Sequence, residues 1–345
     1  MDVMQKLHYH FASGSVAFQT ERPALHDAVQ HVMEGLGLYS ASEDGGRRLD
    51  EIGEIDLALV LERIPVPDEA VMLSVIRRPR SHNRTFTAWR AGRALYLSTE
   101  ASLVEIRSNA RGFVCADDVR DTREARLFLT WLMSTTVALL LREQGVFSMH
   151  AAALSRGGEG VLVVAPSDSG KSTLSYSLVR HGWDYLSDDF VVLHERDGAI
   201  EAAPFRKTFG LDAEAGEFFP ELNRDWERPF DEEEKWAVSV DALYPGRQAD
   251  RCVPRVLLFP EIVGQGQTEV REVSRVEALH RLVRQGGLLP TTPETSQRQM
   301  DCLALLVRQA QPYRLFSGRD LLEEPQKASA IIEPLLHQSR AAAAG

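Results

Sequence analysis

The part of the chain that decides the fold is residues 160–180, which read GVLVVAPSDSGKSTLSYSLVR. Residues 160–165 form a continuous apolar run, as expected for a strand that is buried on both faces. A helix signal follows from Ser172 to Arg180 and is closed by Gly182, and a second apolar segment runs from Trp183 to Leu193. Strand, glycine loop, helix and strand in this order predict a βαβ unit and an α/β fold.

The loop between this strand and its helix has the pattern of a phosphate-binding loop. The general pattern is G-x-x-x-x-G-K-[ST]; the chain matches it at Gly170, Lys171 and Ser172 and has Ala165 at the first glycine position. Alanine is compatible with the loop if its φ is negative, because backbone N–H groups and a helix N-terminus hold the phosphate. We expect Lys171 at the β- and γ-phosphates of a nucleotide and the Ser172 hydroxyl on Mg²⁺. The expected nucleotide contacts are Ala165, Pro166, Ser167, Asp168, Ser169, Gly170, Lys171, Ser172, Thr173 and Arg206.

The composition supports the importance of this lysine. The chain has 345 residues, with 50 acidic against 39 basic side chains and a formal net charge of −11. This balance argues against a protein that coats nucleic acid or an anionic membrane, so neither is expected as a partner. Only five of the basic residues are lysines, and one of them is Lys171. The alternative for the loop is a Ser/Gly turn before an ordinary helix.

Two adjacent carboxylates, Asp188 and Asp189, follow the next predicted strand, Trp183–Ser187. A parallel strand at this point would end at the same sheet edge as the loop, which places both carboxylates beside the phosphates. One of them can hold Mg²⁺ while the other accepts a proton from an attacking hydroxyl. The alternative is an Asp pair that only opens a loop.

Two further candidates, His150 and the pair Arg206 and Lys207, also have ordinary structural explanations. His150 lies in an apolar run at the start of the strand hairpin that leads into the loop, where a histidine is normally a satisfied core residue. Arg206 and Lys207 follow a proline turn and could hold phosphate or an acidic substrate, or could form an exposed loop end.

The chain divides into regions that differ in their sequence patterns. Residues 1–120 alternate strand-like runs with turns around one helix at Pro23–Leu36 and predict a small α+β domain. A connecting helix is expected over 121–144, the catalytic α/β domain over 145–338 and a flexible tail over 339–345. The scattered Cys115, Cys252 and Cys302 and the polar N-terminus predict a cytoplasmic protein without disulfides.

His150, the loop and the Asp pair, spaced by 21 residues from His150 to Lys171 and 17 from Lys171 to Asp188, resemble the catalytic domain of HPr kinase/phosphorylase. The similarity is greater to HPr kinase-related proteins, which include kinases that modify ribosomally made peptides such as lasso peptides. It is specific over residues 149–193 and weaker over 145–335.

The resemblance implies a phosphoenolpyruvate-carboxykinase-like P-loop domain that uses ATP and Mg²⁺ to phosphorylate a serine of a peptide or small protein. It implies Asp188 as the base assisted by His150, with Lys171 at the transferred phosphate and Asp189 and Ser172 nearer the metal. HPr kinases form rings, so the resemblance also leaves a homo-oligomer open. Two alternatives stay open as well: a non-catalytic nucleotide-binding scaffold, and a kinase of a small metabolite such as free serine.

Overall fold

The computed structural model describes the chain in two compact units. The described residues are 5–11, 14–20, 39–40, 55–59, 66–78, 84–92, 94–98, 102–107, 111–116, 134–205, 208–211, 215–222, 236–264, 266–286 and 292–343. The first unit comprises Met1–Val146, Phe230–Glu233 and Leu289–Gln297, and the second comprises Phe147–Pro229, Glu234–Leu288 and Arg298–Gly345. The helix expected at Pro23–Leu36 lies outside the described residues.

The first unit contains a nine-stranded sheet in the order β3-β1-β2-β4-β9-β8-β7-β6-β5. The strands are β1 Gln5–Phe11, β2 Gly14–Thr20, β3 Tyr39–Ser40, β4 Ile55–Leu59, β5 Val71–Arg78, β6 Arg84–Ala91, β7 Ala94–Ser98, β8 Ser102–Arg107 and β9 Arg111–Ala116. Most neighbours are antiparallel, as the alternating pattern predicts, but β4 runs parallel to both β2 and β9. Of the expected connecting helix, residues 134–143 are described and are helical; they form α1.

The second unit has eleven described strands in three sheets. They are β10 Val146–His150, β11 Ala152–Arg156, β12 Glu159–Val163, β13 Asp184–Ser187, β14 Phe190–Arg196, β15 Ala199–Pro204, β16 Thr208–Leu211, β17 Trp236–Ser239, β18 Val253–Ile262, β19 Glu269–Glu272 and β20 Gln311–Ser317. The helices are α2 Lys171–Arg180, α3 Ala215–Phe218, α4 Val240–Leu243, α5 Arg275–Gln285, α6 Pro293–Gln309, α7 Asp320–Glu323 and α8 Gln326–Ala343, with a 3-10 turn at Pro220–Leu222.

The central sheet of this unit has six strands in the order β13-β11-β12-β18-β20-β19. Strand β12 is buried on both of its faces. Val161 and Val163 pack in a cluster that includes residues of α2 and α8, whereas Leu162 and Val164 pack in a cluster that includes residues of α5 and α6. Both sets of side chains are buried, which explains why the apolar run is continuous. Burial of each such side chain contributes about 1.5–3 kcal/mol to the free energy of folding.

The predicted βαβ unit is present, with one strand inserted in it. Both β12 and β13 are antiparallel to β11, which lies between them, so β12 and β13 run in the same direction. In the register, Ala152 of β11 faces Val163, and Ala153 faces Ser187. The carboxyl ends of β12 and β13 therefore meet at one sheet edge, beside the start of β11. This edge, where β12 and β13 end and β11 begins, is called the loop edge below.

No helix among the described residues is long and apolar enough to cross a membrane.

Candidate active site

The glycine loop leaves the sheet at the loop edge directly after β12. The N–H of Val164 still donates to the Leu258 carbonyl of β18 at 2.8 Å, and the chain then turns away. Within the loop, only Asp168 and Gly170 have positive φ, at 61° and 78°. Ala165 thus has the negative φ that its substitution for glycine requires. Asp168 has a backbone conformation that aspartate and asparagine adopt more readily than most residues.

Helix α2 begins at Lys171 with Gly170 as its N-cap and has no side-chain cap and no acidic residue in its first turn. The N-terminal N–H groups of a helix lack partners inside the helix and carry the positive end of its dipole. This terminus is therefore suited to an anion. The side chains of Ser172 and Thr173 are half-buried, and among the described residues the Ser172 hydroxyl has no protein hydrogen-bond partner.

Lys171 is buried, with only 6% of the residue exposed. Its ammonium group donates to the carbonyl oxygens of Ala165 at 3.0 Å and Pro166 at 2.7 Å, so the loop folds around its own lysine. The Ser169 hydroxyl donates to the same Pro166 oxygen at 2.9 Å. Burying a cation is costly unless hydrogen bonds compensate it, and here two loop carbonyls do so.

The two adjacent carboxylates have different surroundings. Asp188 is 2% exposed; its Oδ1 accepts a hydrogen bond from the Tyr185 hydroxyl at 3.1 Å, and its Oδ2 accepts one from the Gly210 N–H at 2.9 Å. It therefore links the end of β13 to β16.

Asp189 is the accessible member of the pair, with 39% of its side chain exposed. Its Oδ1 lies 3.0 Å from Nε2 of His150. The His150 ring in turn stacks on Phe190, with ring centroids 5.3 Å apart and an interplanar angle of 25°. The imidazole thus contacts Asp189, which differs from the expectation that His150 assists Asp188.

The sheet register brings most of the expected residues to the loop edge. His150 ends β10 two residues before β11 begins, the loop follows β12, and the Asp pair follows β13. Arg206 and Lys207 lie outside the described residues. Tyr185, Phe190 and Gly210 take part in the site and were missed from the sequence. Phe190 could have been noticed as a large apolar residue directly after the Asp pair, but no local signal marks Gly210.

The donor set fits a polyphosphate bound with a magnesium ion. The uncapped start of α2 and Lys171 supply N–H donors for phosphate oxygens, and the Ser172 hydroxyl supplies one oxygen for the metal. No group of three or more His, Cys, Asp or Glu side chains that could hold a metal ion is found in the described part of the chain.

The two cysteines whose side chains are described are not candidates for nucleophiles. Burial raises the pKa of Cys252 and of Cys302 to about 12, and both thiols are free and buried. A thiol with such a pKa is neutral at physiological pH and unreactive. Both belong to a hydrophobic core cluster of the second unit.

Comparison with known proteins gives limited similarity. A family described as SynChlorMet cassette protein ScmC matches residues 113–213, a range that contains every expected site residue but less than a third of the chain. No curated protein matches the chain. Among solved structures, the HPr(Ser) kinase/phosphatase from Coxiella burnetii is 12% identical over 57% of this chain and 99% of that chain, with a TM-score of 0.32. Such a low TM-score does not establish a common fold.

The positive φ of Asp168 leads to a stability prediction. Asp168→Gly and Asp168→Ala both remove the carboxylate, but only glycine adopts this conformation without strain, so the glycine variant should be more stable by about 1 kcal/mol. At the neighbouring exposed Ser167, where φ is negative, alanine should instead be the more stable replacement by about 0.4–1 kcal/mol. Urea unfolding of the four variants measures both differences. If the glycine variant were the more stable one at both positions, or the alanine variant at both, the result would contradict the loop conformation.

Proposed function

We propose that this chain is an ATP- and Mg²⁺-dependent kinase that transfers the γ-phosphate of ATP to a serine hydroxyl of a peptide or small protein. The proposal is carried by one observation: the uncapped start of α2 with its buried Lys171 follows β12 at the loop edge, and the accessible Asp189–His150 pair follows β13 and β10 at the same edge. An anion site beside an accessible carboxylate is the arrangement that phosphoryl transfer requires.

The phosphate-binding part of the proposal uses the loop. Lys171 would exchange the carbonyl oxygens of Ala165 and Pro166 for the β- and γ-phosphate oxygens, while the N–H groups at the start of α2 hold the remaining oxygens. Ser172 would hold Mg²⁺ together with phosphate and water oxygens, and the ion would supply charge neutralisation at the phosphates. Most of the acceleration in such a site comes from positioning and from electrostatic stabilisation of the transferred group.

We assign the proton transfer to Asp189 in place of Asp188. The oxygen of the serine hydroxyl forms a bond to the γ-phosphorus, the bond from that phosphorus to the β,γ-bridging oxygen breaks, and the hydroxyl proton passes to the Asp189 carboxylate. Asp189 is supported as the acceptor because its side chain is accessible and is held 3.0 Å from Nε2 of His150. Asp188 is supported as an anchor because both of its oxygens already accept hydrogen bonds from Tyr185 and Gly210.

The acceptor follows from the resemblance to peptide-modifying kinases. The matching family is described as a cassette protein, which supports a search for the acceptor among the products of neighbouring genes. A kinase of free serine stays a second outcome of the same assay. A non-catalytic nucleotide-binding module is favoured by one feature, the acidic Asp168 in a loop that would hold anions.

The direct test is transfer of label from γ-labelled ATP to peptides encoded beside the gene, to free serine and to buffer. The matched variants are Lys171→Met, which keeps a buried stem of similar length, and Lys327→Met at a half-buried lysine of the same unit that pairs with Glu324 and Asp320. We expect Lys171→Met to lower kcat/KM by at least about a hundredfold, with Lys327→Met close to wild type. Phosphate transfer by Lys171→Met at the wild-type rate would contradict the assignment of the loop as the phosphate-binding site. Tight nucleotide binding without transfer to any hydroxyl would instead favour the non-catalytic module.

The two carboxylates should separate in their effects. Asp189→Asn should lower kcat by about 10²–10⁴-fold without loss of stability, because it removes an accessible proton acceptor. Asp188→Asn should lower the free energy of unfolding by about 1–3 kcal/mol, because an amide cannot accept both hydrogen bonds in its place. Kinetics on the folded fraction and urea unfolding measure these effects. An inactive, fully stable Asp188→Asn together with an active Asp189→Asn would reverse the assignment.

A further inference from the structure

Phe190 combines exposure with a specific contact at the loop edge. Its side chain belongs to the few large apolar side chains that the described residues expose, with 38% of the residue accessible. It follows Asp189 directly in the chain, and its ring lies stacked on His150. Single exposed apolar residues are common in proteins and need no special explanation. The stacking on His150 is the feature that distinguishes Phe190 from them.

The backbone of Phe190 is held on both sides. Its carbonyl oxygen accepts a hydrogen bond from the Ser187 hydroxyl at 2.7 Å and another from the Phe205 N–H at 3.2 Å. The next residue, Val191, pairs with Pro204 in the β14–β15 ladder. The Phe190 ring therefore projects from a fixed point of the sheet and not from a mobile loop.

His150 depends on this ring for its orientation. In the part of the chain that the structure describes, its side chain has two specific contacts, the one from Nε2 to Asp189 and the stack on Phe190. One hydrogen bond fixes a distance but lets the imidazole plane rotate about it. A ring stacked at 25° to that plane limits this rotation, and stacked pairs of this kind are energetically favourable. The side chain of His150 is 21% exposed, so part of the imidazole is accessible to solvent.

We propose that Phe190 is a positioning residue: it keeps the His150 imidazole in the plane in which Nε2 points at Asp189. This inference rests on the proposed function for its kinetic consequence, although the orientation itself is a property of the protein alone. An acceptor hydroxyl would then meet an Asp189 carboxylate whose partner has one fixed direction. Small errors in the direction of such groups lower rates strongly.

The chain offers a matched control for this residue. Phe218 is 41% exposed in the same unit and has no aromatic or cation–π contact among the described residues. The variants to compare are Phe190→Leu, which removes the stacking ring but keeps an apolar side chain, Phe190→Tyr, which keeps the ring, and Phe218→Leu. His150→Gln identifies the NMR signals of His150 among the ten histidines.

Two measurements test the proposal. In nucleotide-free protein, ¹⁵N NMR of the imidazoles should show His150 of the wild type as a single tautomer with the proton on Nε2, and a mixture of tautomers in Phe190→Leu. In the transfer assay, Phe190→Leu should lower kcat by about tenfold with the KM values for ATP and for the acceptor within about twofold. Phe190→Tyr and Phe218→Leu should match the wild type in both measurements.

The outcomes distinguish this inference from the proposed function. If the wild type transfers no phosphate, the proposed function fails, and the NMR comparison alone decides whether Phe190 orients His150. Identical His150 signals in wild type and Phe190→Leu overturn the inference in either case. A raised KM for the acceptor with an unchanged kcat also overturns it, because Phe190 would then contact the acceptor and not act through His150.

Discussion

Strand β12 is hydrogen-bonded on both edges and covered on both faces, and the second unit is arranged around it. Its neighbours are β11 and β18, and its side chains alternate between two apolar clusters. A shift of this strand by one residue would move each set of apolar side chains into the cluster that is packed for the other set. The end of β12, and with it the start of the glycine loop, is therefore fixed by packing and not by the loop itself.

The buried cation of Lys171 is the second constraint, and it depends on the first. A lysine ammonium that is withdrawn from water needs hydrogen-bond acceptors, and the carbonyls of Ala165 and Pro166 provide them because the loop curls back over the start of α2. Phosphate oxygens would satisfy the same ammonium group with opposite charge. Because the loop is folded before any anion is present, the proposed binding would need little further ordering of its backbone, which would lower the entropy cost of binding.

Much of this arrangement could be predicted from the sequence, because the relevant signals are local. The apolar run, the Gly170-Lys171-Ser172 pattern and the strand before the Asp pair each lie within a few residues, and β12, α2 and β13 appear where they were expected. The insertion of β11 between β12 and β13 could not be predicted from spacing. The βαβ order establishes that the two strands are parallel, but it does not establish that they are adjacent in the sheet.

The sequence also could not predict which of the two carboxylates, Asp188 or Asp189, is buried. Asp188 is buried because Tyr185 and the backbone of Gly210, which lies 22 residues away, take up its oxygens. Asp189 meets His150 because β10 and β14 are neighbours in a separate sheet. Both contacts depend on pairing between distant segments, and adjacent aspartates in a sequence carry no information about which one will face solvent.

The central claim is that residues 165–173 bind a nucleotide through its phosphates. Titration calorimetry of the wild-type protein with MgATP, repeated in the presence of inorganic tripolyphosphate and then of adenosine, tests this claim directly. The account predicts one binding event that tripolyphosphate competes away and adenosine leaves largely unchanged. Binding that adenosine displaces and tripolyphosphate does not, or no binding of MgATP at all, would contradict it.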